Sequence, residues 1–166
     1  IERIEARYGK MTVTRGTEHT FLGMDVTFTG DGKVQIAMKD YLTEAIDESG
    51  MNIDRSAATP AKKNLFDVDE MATPLEKEQA DTFHSVVAKL LHVALRARMD
   101  ILLPIIFLCT RVSKCTVQDQ VKLKRVLEYI KGSLDLTYTL GADDLRVFRS
   151  WVDASFAVHF DIRSHT

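Results

Sequence analysis

An aspartate set among large apolar residues, in Trp151-Val152-Asp153-Ala154-Ser155-Phe156, is the first group in this sequence that could do chemistry. A charge inside an apolar strand is costly unless it is paired or bound to a metal. Asp153 is therefore a candidate ligand for a divalent cation in two-metal phosphoryl transfer. The plainer reading is an aspartate on the solvent face of an edge strand, and base rates for buried charge favour it on spacing alone. Two-metal chemistry needs several carboxylates; only Asp161 is near in sequence, so the set is incomplete.

Two further groups could hold a ligand without transforming it. In Phe21-Leu22-Gly23-Met24 a glycine allows close backbone approach beside apolar side chains, which suits packing on a sugar-phosphate strand. An ordinary hairpin covering a core has the same pattern. Lys122, Lys124, Arg125 and Lys131 can contact phosphates without reading sequence; a solvated helix face would look the same. His84 and His92 lie roughly 80° apart around a helix and read as polar edge or core residues. Cys109 and Cys115 read as small buried hydrophobes. Zinc spacing, a nucleophile elbow, a phosphate-binding loop and a dinucleotide fingerprint are all absent.

The elements that must position these groups come from a chain of 166 residues, 45% apolar and 28% charged. That is a globular mix, long enough to bury a core without staples. The net charge of -2 gives no global attraction to nucleic acid or membrane, but the average hides an asymmetry. Residues 40–81 carry eleven acids against four bases, net -7, and residues 111–131 carry six bases against two acids, net +4. Two cysteines without a signal peptide imply a reducing, intracellular setting with free thiols. The longest apolar run, 101–109, is too short to span a bilayer, so no membrane partner is expected.

Residues 1–8 resemble the end of a helix closed by Gly9. A short strand is expected at 10–14. Residues 20–28 alternate, with Leu22, Met24, Val26 and Phe28 on one face. A turn at 29–32 and a second alternating run, Val34, Ile36 and Met38, complete a β-hairpin. Gly23, in mid-strand, suggests a bulge or a close approach by another backbone. A helix follows at 39–49, with Tyr41, Leu42, Ala45 and Ile46 as its stripe and Gly50 as its cap. Residues 52–72 have no period and read as a surface linker. Thr73-Pro74-Leu75-Glu76 reads as a capping box, opening a helix to about Arg98 that buries Phe83, Val86, Val87, Leu90, Leu91 and Ala94. Asp100 opens a second helix to about Val112. A third runs over 116–131, with Val117, Val121, Leu123, Val126, Leu127 and Ile130 apolar and Gly132 as its stop. A short strand at 136–140 and an extended stretch at 145–158 follow. The expected fold class is α+β: an N-terminal hairpin (1–38), a three-to-four-helix block (39–132) and C-terminal strands (133–166).

Six segments, taken in order, resemble the Ty1/copia-type retrotransposon polyprotein from the end of the reverse transcriptase into ribonuclease H. Tyr8-Gly9-Lys10-Met11 with Phe21-Leu22-Gly23-Met24-Asp25-Val26 is similar to the end of the palm and its primer-grip hairpin. Residues 34–50 resemble the segment leading into the thumb, and Ala58-Thr59-Pro60 matches the family's usual Thr-Pro. Residues 83–91 and 96–101 resemble thumb helices. Lys124-Arg125-Val126-Leu127-Glu128-Tyr129-Ile130-Lys131-Gly132 is close to a hallmark of the family. Trp151-Val152-Asp153-Ala154-Ser155-Phe156-Ala157 followed by Asp161-Ile162-Arg163-Ser164-His165-Thr166 resembles the first ribonuclease H strand and the turn after it. Met99, Val87-Ala88 and Phe160 depart from the family's usual residues.

The resemblance implies that Phe21, Leu22, Gly23 and Met24 position a primer end and that the helical block, with Lys122, Lys124, Arg125 and Lys131, grips a template–primer or RNA–DNA duplex. It implies that Asp153 is the first aspartate holding Mg²⁺ in the nuclease, with no small-molecule cofactor. It also implies a Tyr-x-Asp-Asp polymerase loop before Ile1 and further nuclease carboxylates after Thr166. The fragment alone is thus expected neither to polymerise nor to cleave, and its partners include the rest of the polyprotein. The implied location is a cytoplasmic retroelement particle with access to the nucleus. The other reading of the same residues is a non-catalytic or domesticated helical interaction module.

Overall fold

Three stretches with apolar residues at helical spacing meet around one core in the computed structural model, which describes residues 1–141 together with Arg146, Val147 and Ser150. The order is α1 (Glu2–Tyr8), β1 (Glu18–Phe21), β2 (Met24–Phe28), β3 (Val34–Ala37), α2 (Lys39–Glu48), α3 (Lys77–Ala94), a 3-10 turn (Met99–Ile101), α4 (Leu102–Cys109), α5 (Val117–Lys131) and β4 (Tyr138–Leu140). This is the α+β class that the periodicities imply. Helix α3 packs against α2 and α4, and α5 against the same two. Phe83, Val86, Leu90 and Val93 of α3 are buried with Ile105 and Leu108 of α4 and Leu123, Leu127 and Ile130 of α5. Fully burying such a side chain contributes about 1.5–3 kcal/mol each.

The four strands form one antiparallel sheet in the order β1-β2-β3-β4. Val26 faces Ile36, and Ile36 faces Tyr138 on the other side. Strand β4 follows the helices in sequence yet completes the sheet of the N-terminal hairpin, so the helical block is an excursion between two paired strands. Met24 and Ile36 pack against the helical core.

The sequence expectations need correction where tertiary contacts override local preference. Residues 10–14 form no strand. The run 20–28 is two strands, because Leu22 (φ 52°) and Gly23 (φ 76°) make a two-residue turn between β1 and β2. Positive φ at both positions is the turn that twisted hairpins favour, usually written Asn-Gly rather than Leu-Gly. The expected capping box at 73–76 does not form. Thr73 and Leu75 instead pair with the start of α5: the Val117 N–H donates to Thr73 (3.0 Å) and the Leu75 N–H to Cys115 (3.1 Å). Helix α3 therefore starts at Lys77, and it ends four residues before Arg98.

That early end has a cause. Arg98 is buried and donates to both oxygens of Asp100, to the Ser133 carbonyl (2.9 Å) and to Ser133 Oγ (2.7 Å). Asp100, expected as a helix cap, instead accepts from Arg98 and from the Tyr129 hydroxyl (2.8 Å). Helix α4 stops at Cys109, short of Val112. Cys109 is half-buried and Cys115 buried; both are free thiols, and burial raises the pKa of each, as inert small hydrophobes require. Residues 52–72 contain no helix or strand but are more than a surface linker, because Ile53 and Leu65 are buried and Phe66 packs on the core. On α5, Val117 and Val121 are exposed.

Two expectations follow. A Cβ on Gly132 would lie 2.7 Å from the Ser56 Cβ, so Gly132→Ala should cost about 1–3 kcal/mol in urea unfolding. Most of that cost should return when Ser56→Gly is added; no recovery would show that the crowding is not the cause. The second concerns Asp100. Burial alone would raise its carboxyl pKa, but hydrogen bonds from Arg98 and Tyr129 outweigh it and hold the group below the ordinary 3.8. A depressed folded-state pKa stabilises the fold above the ordinary value, and that stability is lost as pH falls through the folded value. The melting temperature of Asp100→Asn should accordingly fall less steeply below pH ~4 than that of the wild type. Parallel curves would remove the Asp100 contribution.

Candidate nucleic-acid interface

The β1–β2 turn is a supported apolar tip. Phe21 and Leu22 are 62% and 59% exposed, although a left-handed non-glycine residue costs roughly 1–2 kcal/mol. The helices beneath hold it. His92 Nε2 lies 3.2 Å from the Leu22 carbonyl oxygen, which makes that nitrogen the donor. The Tyr41 and His92 rings are 5.3 Å apart, and the Lys89 ammonium sits 5.5 Å from the Tyr41 ring centre. A Cβ on Gly23 would stand 3.0 Å from Tyr41 Cδ2, so the neighbour that crowds this glycine is an aromatic side chain and not the second backbone expected from the sequence. Met24 is half-buried and faces the core.

The cations of α5 are less free than the helical pattern suggests. Lys122 donates to the Asp67 carbonyl and lies 4.7 Å from the Phe107 ring centre, and burial lowers its pKa. Arg125 donates through Nε to the Thr59 carbonyl (2.9 Å) and through Nη2 to the Thr59 hydroxyl (3.1 Å). Lys131 donates to the Ile53 carbonyl. Three of the four bases thus tie the 52–72 loop to α5. Lys124 has no hydrogen-bond or ion-pair partner among the described residues.

Where the loop arches over α5 it leaves a groove of about 250 Å³. Lys122, Lys124 and Arg125 border it from the helix, and Arg55 and Lys62 from the loop. Glu128 is its one acidic side chain; it is buried and accepts from Arg55 Nε at 3.1 Å. No hairpin residue lines this groove, so the structure does not gather the two predicted binding groups into one site. Arg55 and Lys62 escaped the sequence reading because they sit in a segment acidic overall. Pro60 and the two loop bases ahead of the basic helix were the available signal.

Asp153 and the rest of residues 151–166 lie outside the described residues. Among the described residues no group of three histidine, cysteine or acidic side chains could hold a metal ion. No described helix is long and apolar enough to cross a membrane.

Comparison with known proteins gives two relatives at low identity. The chain is 25% identical over 153 residues, 91% of its length, to the Saccharomyces cerevisiae protein named "Putative transposon Ty5-1 protein". It is 29% identical over 119 residues, 72% of its length, to an uncharacterized mitochondrial protein of Arabidopsis thaliana. In each case the match spans 48% of the relative, so the chain covers about half the length of the curated relatives it matches. No family model matches, and no solved structure does. The similarity supports a retroelement-derived protein.

The two lysines that point to phosphates should separate in a stability measurement. Lys122→Ala removes a hydrogen bond to the loop and the packing of a half-buried side chain, and should cost about 1 kcal/mol. Lys124→Ala should stay within about 0.5 kcal/mol of the wild type. Equal losses in urea unfolding would contradict the structural role given to Lys122.

Proposed function

We propose that this chain is part of an RNA-directed DNA polymerase with ribonuclease H from a copia-type retroelement, and that this part holds the template–primer duplex. The observation that carries the reading is the similarity to a transposon-named protein over 91% of the chain, an extent that no single motif could account for. Two features of the geometry support it. The exposed turn at Phe21 and Leu22 is braced from below by Tyr41 and His92, as a surface that bears against a ligand must be. The α5 edge supplies cations at a fixed spacing, with Lys124 unpaired among the described residues. In this reading the tip bears on the primer strand, and the α5 cations neutralise phosphates without reading sequence.

Mg²⁺ belongs to the proposal only through Asp153. The described residues offer no ligand set for the ion, so no metal-dependent step is assigned to them. The rest of the polyprotein is the proposed partner, and a cytoplasmic retroelement particle the proposed location. A non-catalytic interaction module is the second reading. It is favoured by the engagement of Lys122, Arg125 and Lys131 inside the fold, which leaves fewer charges for a polyanion.

Fluorescence anisotropy with a labelled RNA–DNA hybrid tests the first reading. Binding should be weak, with log affinity falling linearly against log salt at a slope of about -2 to -4, the value for two to four phosphate contacts. Affinity that does not change with salt, or no binding at low salt, would favour the interaction module.

A further inference from the structure

The groove between the 52–72 loop and α5 has more in it than phosphate contacts require. Its rim carries Arg55, Lys62, Lys122, Lys124 and Arg125 against the single carboxylate of Glu128, so the local charge is strongly positive in a chain of net charge -2. The side-chain ammonium groups of Lys62 and Lys124 have no hydrogen-bond or ion-pair partner among the described residues. Arg125 spends Nε and Nη2 on Thr59 and keeps Nη1, and Arg55 spends only Nε on Glu128. The apolar part of the lining is Pro60, Ala61, Leu65 and Val121. Val121 is 63% exposed, although it sits on a helix whose other face is fully buried. Two side-chain amides, Asn64 and Gln118, stand at the border, and Gln118 already accepts the Asp69 N–H at 3.0 Å.

We infer that this groove takes one unpaired nucleotide of a single strand, its base on the apolar lining and its phosphate among Lys62, Lys124 and Arg125. The inference rests on the nucleic-acid reading above and narrows it. A bare phosphate or an acidic peptide needs the cations but not the apolar lining beside them. A base needs both, because its faces are apolar and its edges carry donors and acceptors that amides can meet. Guanidinium planes such as that of Arg55, whose side chain is 76% exposed, add a stacking surface. At about 250 Å³ the space is just under the range of about 300–1,000 Å³ for small-ligand pockets, which suits one nucleotide. Burial lowers the pKa of Lys122 at the groove wall, so an anion alongside would favour its charged form.

The test uses the whole chain and three labelled probes of equal length: a pyrimidine single strand, the same strand with its bases removed, and the RNA–DNA hybrid. The wild type should bind the base-bearing strand about fivefold or more tightly than the abasic one, the least that one stacked base provides. Val121→Ser changes no charge and alters an exposed position. It should erase that preference and leave hybrid binding and circular dichroism unchanged. Lys62→Ala should weaken both single strands together. Equal affinity of the wild type for base-bearing and abasic strands would overturn the inference. So would displacement of the strand by polyglutamate as readily as by unlabelled strand, which would assign the groove to an acidic peptide. Failure of the hybrid alone to bind, with the base preference intact, would count against the duplex-holding role and not against the groove.

Discussion

The carboxylate of Asp119 is the constraint on which the rest of the helical block depends. It is completely buried, and a lone charge there would be prohibitive. It is satisfied by the Arg111 Nε (3.2 Å), the Thr116 backbone N–H (3.0 Å) and the Thr116 hydroxyl (3.0 Å). These bonds fix three things together. Arg111 ties the chain beyond α4 to the first turn of α5. The reciprocal capping of Thr116 and Asp119 sets where α5 begins. Thr116 in turn lies opposite Pro74 in an antiparallel bridge, so the approach to α3 takes its place from the same spot. Buried ion pairs add little net stability, but breaking one leaves the other charge stranded. The pair therefore acts as a register pin rather than as a source of stability.

A second pin stands at the far end of α5. Arg98 is 2% exposed, and Asp100 and Ser133 satisfy it. Arg111 and Arg98 lie on either side of α4, and their partners lie at the two ends of α5. Both ties hold chain that flanks α4 to an end of α5, beside the packed apolar faces of α3, α4 and α5. The hydrophobic core drives collapse without direction; the two arginines give it direction.

The bases of α5 and of the 52–72 loop fall into two groups. Lys122, Arg125 and Lys131 hold carbonyls of a loop that has no ladder of its own, which answers the need of those groups for donors. Lys62, Lys124 and part of Arg55 are left over, facing a groove. The hairpin tip follows the same logic: Tyr41 and His92 are used to hold an apolar turn in the open. Surface features that the fold supports but does not need are where a ligand reading belongs.

The sequence by itself determined the α+β class, the hairpin after residue 20, helix α2 with its Gly50 stop, and most of the buried face of α3 and α5. Each depends on interactions within a few residues, periodicity and caps, which one chain's order of residues displays. Tertiary structure alone decided that Leu22-Gly23 is a turn rather than mid-strand, because Tyr41 and His92 support a backbone that local preference disfavours. It decided that Thr73-Pro74-Leu75 pairs with the start of α5 instead of opening α3, because an extended partner was within reach. It also decided that Val121 faces a groove while Leu123 faces the core, since two apolar residues two apart on a helix point in different directions. Nothing in the sequence sets Arg98 and Arg111 apart from the other bases. Their burial became favourable only when carbonyls and carboxylates converged on them, and such convergence is a property of the folded chain, not of any local stretch.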